Sequence, residues 1–228
     1  MILDDKRVAL RLSAHPELLL RLDEFRQSYG WETALVAQAA PAQPLRLDVT
    51  LPAVEQALLN GAARRPAWWD GLRAASRPRA TLHGIASLPL WTNPPWACEA
   101  HRDGHFIAGV ARFPEMPGSG GVHVRCIADF HASFFQDFFE VVSATLNAAG
   151  VKDASYDTTW TLINAPALHY GNKPDSGASY CAAAGPLMLA NLQAPVIRAD
   201  VGSSAWDWAA IDMGRALCGA YGGTPAYL

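Results

Sequence analysis

Four phenylalanines packed into six positions, Phe134, Phe135, Phe138 and Phe139, constrain this chain more than any other feature. At 100° per residue they share one arc of roughly 160° with Val141, Val142 and Leu146. Gln136, Asp137, Glu140, Ser143 and Asn147 fall on the other side. Ser133 stands at capping-box distance from Gln136, and Gly150 is a natural C′ residue, so the pattern predicts a helix over 134–149. Four rings on one stripe bury on the order of 600–1,000 Å². Such a helix needs a sheet or a second helix layer to cover.

The residues before it supply the sheet. Trp96–His101 and His105–Phe113 flank Arg102-Asp103-Gly104, a hairpin signal in which Gly supplies a positive φ without strain. Pro114-Glu-Met-Pro-Gly-Ser-Gly-Gly121 is a longer loop leading into Val122–Ala128. The expectation is α+β: an antiparallel β-meander of 96–101, 105–113 and 122–128, covered by the aromatic helix.

Upstream, residues 1–80 read as a mainly helical lead-in. Pro16–Tyr29 carries Leu18, Leu19, Leu22 and Phe25 on one stripe and ends at Gly30. Leu51–Ala63 is a second helix with Pro52 in its first turn and Val54, Leu58 and Leu59 inward. Ala37–Pro44 reads as an Ala/Gln/Pro linker, and Trp68-Trp69 opens a short helical piece. Ala80–Leu90 is a strand leading into the meander. Downstream, strands are expected over Ser155–Ile163, Ser179–Ala184 and Pro195–Val201, with Asn164–Gly177 as loop. A last helix runs from Ser204 to about Cys218, with Trp206, Met213 and Leu217 on one side and Trp208, Ile211 and Cys218 nearly opposite. A helix apolar on two sides is buried between layers or presents one stripe to a partner. Without repeats or a clear linker, the 228 residues are read as a single α+β domain.

Charge and cysteine usage remove several function classes. The net charge is −3, which gives general nucleic-acid binding no electrostatic support. Residues 1–80 carry 11 Lys/Arg against 9 Asp/Glu, and residues 81–228 carry 7 against 12. The acidic part favours a basic partner. Arg73, Arg77 and Arg79 cluster but lack the interleaved aromatics of a nucleic-acid surface. Cys98, Cys126, Cys181 and Cys218 form no C-x-x-C pair, so zinc-ribbon and redox readings fail on spacing. No signal peptide and no span of about 20 apolar residues is legible, and a cytoplasmic location is expected.

Catalytic motifs are sparse. There is no G-x-S-x-G, no phosphate loop and no G-x-G-x-x-G. His101, Asp103 and distant His169 are the residues from which a 2-His-1-carboxylate iron site would be drawn, with Lys173 as the nearby base for a co-substrate carboxylate. The Asp103-Gly104 turn scatters such a set, so no metal or other cofactor is expected. His83, His123 and His131 stand alone and read as structural histidines.

The order of elements resembles a family of cytoplasmic immunity proteins of bacterial polymorphic-toxin and type VI secretion systems. The likeness is carried by the helical N-terminal third, Leu90-Trp91 before the Gly104 hairpin, and 122–128 running into the Phe134–Leu146 helix. Ser155–Trp160, Ser179–Ala184 and the final helix continue it. The resemblance implies a protein without chemistry of its own that binds one toxin, of nuclease type, by complementary charge and aromatic anchors. The surface expected to do so is acidic and aromatic: Asp137, Glu140, Trp206 and Asp207. The competing readings are a small non-haem metal oxygenase or hydrolase built on His101, Asp103 and His169, and a structural or phage-assembly component.

Overall fold

The computed structural model describes residues 16–63, 78–89, 94–118, 121–128, 134–172, 181–184, 187–188, 191–194, 196–200 and 204–222. The expected helical piece at Trp68-Trp69, the Arg73–Arg77 part of the basic cluster, Leu90-Trp91, the Ser133 cap, His131 and Lys173 lie outside them. The architecture is α+β, with four α-helices and a large antiparallel sheet among the described residues. The helices are α1 (Pro16–Tyr29), α2 (Pro52–Ala63), α3 (Phe134–Ala148) and α4 (Ser204–Ala220). No described helix is long and apolar enough to cross a membrane.

In chain order the strands are β1 (Ala34–Pro41), β2 (Arg79–Ala80), β3 (Gly84–Ser87), β4 (Trp96–His101), β5 (Phe106–Val110) and β6 (Glu115–Pro117). Then come β7 (His123–Ala128), β8 (Ser155–Ile163), β9 (His169–Asn172), β10 (Cys181–Ala184), β11 (Asn191–Gln193) and β12 (Ile197–Asp200). The main sheet runs β11-β8-β1-β5-β4-β3-β2, with β12 pairing the other half of the same β8 edge that β11 uses. A second sheet runs β10-β9-β7-β6 and contains one parallel pair, β7 with β9.

The hairpin forms where the sequence places it and continues an antiparallel run from β2 to β5, but 122–128 does not join it as the next strand. β4 and β5 pair from Trp96↔Val110 to Ala100↔Phe106. Their turn is closed by Gly104 N–H to His101 O (3.0 Å) and His101 N–H to His105 O (2.9 Å). Only Gly104 has positive φ (81°) there, so this is a three-residue loop with a left-handed glycine and not the two-residue I′ turn. The far edge of β5 is taken by β1, not by 122–128. Pro114 and Pro117 cannot donate to a continuing ladder, and Glu115–Pro117 folds back on His123–Arg125 to start the second sheet instead.

The Ala37–Pro44 linker is likewise corrected. Residues 34–41 are an interior strand of the main sheet, flanked by β5 and β8 and buried along almost their whole length. Small side chains there let helices close on both faces. Asn164–Gly177 is also not all loop: a 3₁₀ turn at Ala165–Ala167 leads into β9.

The strand period sorts the core. Leu35, Ala37, Ala39, Trp96, Cys98, Ala100, Phe106 and Ala108 face α2, α3 and α4 in one large cluster. Val36, Ala86, Ala97 and Ile107 face the opposite way, toward Leu22 and Phe25 of α1 and Trp31. All four phenylalanines of α3 are buried, as the stripe requires. Phe135 packs on Trp160 at 5.9 Å between ring centroids. The helix ends in a Schellman pattern, with Gly150 N–H on Asn147 O and Val151 N–H on Leu146 O. Cys98, Cys126 and Cys218 are buried and outside any disulfide.

Candidate functional site

Two places gather the residues with functional potential. The first is a groove of about 690 Å³ between α3 and α4. Gln136, Glu140, Ser143 and Asn147 line it from α3, and Trp206, Asp207 and Ala210 from α4. Positions 136, 140, 143 and 147 share a helix face, which is why they form one wall. Phe139 and the Trp206 indole form the floor, edge to face at 4.5 Å. Neither Lys nor Arg occurs among these described lining residues.

Three of the four expected partner-binding residues, Glu140, Trp206 and Asp207, therefore come together, with Glu140 and Asp207 exposed. Asp137 does not join them; it is 2 % exposed. The buried arc of α3 spans roughly 200°, wider than the aromatic stripe, because the helix is held between the sheet, α2 and α4. Trp206 belongs to the core, 3 % exposed, with its indole N–H donated to Phe139 O at 3.2 Å. The ring that projects from α4 is Trp208, 58 % exposed. Its place on the second apolar side of α4 was legible in the helical pattern; its exposure was not.

The second place lies under α1, on the outer face of the main sheet. β4 alternates, so Trp96, Cys98 and Ala100 point to the large core while Glu99 and His101 point outward. Glu99 Oε2 is 2.8 Å from His101 Nε2, and Glu99 Oε1 accepts from Tyr29 Oη–H at 2.7 Å. A carboxylate only accepts, so the shared proton is assigned to Nε2. Three imidazoles stand in a row, His83–His101 at 5.2 Å and His101–His105 at 5.4 Å between centroids. His83 Nε2 meets Glu24 Oε2 at 2.8 Å, and Arg21 binds Asp103 at 2.7 Å.

The electrostatics of this cluster follow from burial. Desolvation, then the neighbouring His101, drives the His105 ring down to about 3, so it is held neutral. Burial pushes Asp103 up, but the His105 backbone N–H and the Arg21 guanidinium outweigh it and hold its carboxyl below the usual range. Burial, then the Glu99 carboxylate, pushes the Tyr29 phenol far up. His101 Nδ1 and His105 Nε2 are buried without a partner among the described residues. A void of about 50 Å³ adjoins Glu24, His83, Glu99 and His101, room for a water.

The set on which the competing oxygenase reading rests is not brought together among the described residues. Among the described residues no group of three or more His, Cys, Asp or Glu side chains is arranged to hold a metal ion. His169 belongs to β9 in the second sheet, paired with Cys126, while Asp103 is engaged by Arg21. Glu99 and Tyr29 were not singled out from sequence, and His83, read there as standing alone, meets Glu24 and the His101 ring. The alternation of β4 places Glu99 beside His101, but His83 arrives from a separate turn that no local pattern announces.

A third hollow, of about 570 Å³, opens beside Pro41–Leu45. Its arginine, Arg198, is already held by both oxygens of Asp157 at 2.7 and 2.8 Å, and its Ser155 by Asp200. Comparison of the chain with protein-family models, with curated proteins and with solved structures finds no match.

Proposed function

We propose that this chain is a cytoplasmic immunity protein that neutralises a cognate toxin by binding it along the α3–α4 groove. The observation that carries the reading is the chemistry of that groove. Glu140 and Asp207 stand over an aromatic floor, no cation lies among the described lining residues, and the exposed Trp208 ring projects from the same helix as Asp207. A surface of this kind fits a basic partner with an apolar or cationic group to seat on an indole. Nuclease toxins bind phosphates through positively charged surfaces, so an acidic groove is complementary to the part of such a toxin that must be blocked. The acidic balance of residues 81–228 adds long-range attraction.

The test is co-expression with the toxin encoded beside this chain's own gene, read by growth rescue and by co-purification. Protection together with a 1:1 complex is the expected result. A wild-type chain that neither protects cells nor co-purifies with that toxin ends the immunity reading. Protection that survives charge reversal at Glu140 and Asp207 leaves the function standing and moves the surface elsewhere.

A further inference from the structure

We propose that α1 is a pH-released cover, held on the outer face of the main sheet by side-chain links to the groups around the His83–His101–His105 row and let go in acid, when its release lets the buried His105 ring take up a proton. This inference stands apart from the toxin reading. It rests on where the side-chain polar links of α1 end. Arg21 binds Asp103, Glu24 binds His83, and Tyr29 binds Glu99, which in turn binds His101. Every one of these links ends on a titratable group of the β2–β3 turn, β4 or the β4–β5 turn. One further bond, Gln38 Nε2–H to Leu18 O at 2.9 Å, is indifferent to pH and holds the N-terminal end of the helix.

The charged and titratable groups around the row come from each element packed on it. α1 contributes Arg21, Glu24 and Tyr29, β2 contributes Arg79 near Tyr29, and β4 contributes Glu99. The turn contributes Asp103, whose Oδ1 accepts the His105 backbone N–H at 3.1 Å. Tyr156 of β8 reaches the same turn through Gly104 O. Acid acts here through His105, whose buried ring is held neutral and stands 5.4 Å from the His101 ring, with Nε2 unpartnered among the described residues. A proton on that ring puts a cation beside Arg21 in a site almost out of water. Like charges there repel strongly, and the apolar hold beneath the C-terminal half of α1 is Leu22 and Phe25 with the partly buried Tyr29, while Leu18 and Leu19 pack with Ala40 and Val196 at its N-terminal end. The C-terminal half of α1 then lifts and uncovers Val36, Ala86, Ala97 and Ile107.

The experiment is pulsed hydrogen–deuterium exchange on the full chain equilibrated between pH 7.5 and pH 4, with labelling times corrected for intrinsic rate. The segment 22–29 is expected to lose protection at least one pH unit above the segment 134–148. In His105→Gln the α1 midpoint is expected to fall by half a unit or more, because release of the helix no longer lets a proton bind there. If His105→Gln does not fold at neutral pH, His105→Phe decides, since it keeps a flat ring in the same space and cannot become a cation. Loss of protection in both segments at one pH overturns the proposal. So does an α1 midpoint unmoved by the variant that decides.

Discussion

The Trp206 indole stands edge to face on the Phe139 ring at 4.5 Å and donates its N–H to the Phe139 carbonyl at 3.2 Å. One residue thus ties α4 to α3 by both apolar area and a hydrogen bond, while Tyr156 of β8 meets the same indole at 5.8 Å. Trp206→Ala is therefore a stability mutation, expected to cost about 3–5 kcal/mol in a denaturant titration. Trp208→Ala should change stability by no more than about 0.5 kcal/mol, because its ring is mostly in solvent. If Trp208 anchors the toxin, the same change weakens the complex by at least about 2 kcal/mol, measurable by calorimetry.

Charge reversals divide in the same way. Glu140→Lys with Asp207→Lys leaves the fold intact and slows toxin association, most at low ionic strength where screening is weakest. Asp137→Lys acts on folding instead, because it places a long cation where the native side chain is 2 % exposed. Stopped-flow association at two salt concentrations, beside a thermal melt of each variant, separates the two effects.

The helices were readable because period and punctuation agree in each. Pro16–Tyr29 ends at Gly30, Pro52–Ala63 opens on proline, and α3 stops at Gly150. The interior strand β1 was not readable. Ala34-Leu-Val-Ala-Gln-Ala-Ala-Pro41 has few β-branched residues, and its burial on both faces hides the alternation that marks an exposed strand. The partner of β7 was hidden for another reason: it pairs with β9 across the whole of α3 and β8, a tertiary choice with no local signal. For the groove, helix faces placed Glu140 and Asp207 correctly, but which tryptophan of α4 is core depends on where α3 lies. Asp137 was misplaced because α3 is buried over a wider arc than its phenylalanines define.

Gly109 supplies a prediction about the outer face. A Cβ built there comes 2.5 Å from Cζ3 of Trp31 and 3.0 Å from Cε1 of Phe25. Trp31 is fixed by its indole N–H to Pro94 O at 2.8 Å and by packing on Phe25, so neither ring can simply turn away. Gly109→Ala should cost about 1–3 kcal/mol. Gly30→Ala meets no atom within 4 Å and reports only the strain of positive φ at 65°. Chemical denaturation of the two variants, with Trp31 as the local probe of packing, distinguishes overpacking from backbone strain.

Acid sensitivity is the last prediction, and its sign follows from His105. The ring titrates near its ordinary value of 6.5 when unfolded and at about 3 when folded. Between those values the unfolded chain binds a proton that the native one refuses, so acid favours unfolding. The contribution is full above pH 6.5 and drains away as pH falls toward 3, at about 1.4 kcal/mol per pH unit for one proton. Asp103, held below its usual value, works in the same direction at the lower end of the window: its stabilisation is present at neutral pH and lost as acid protonates it. Denaturant midpoints at pH 7 and pH 4.5 should therefore fall in the wild type and fall less in His105→Gln. A variant that loses as much stability as the wild type across that interval would show that the buried ring is not what makes the fold acid-sensitive.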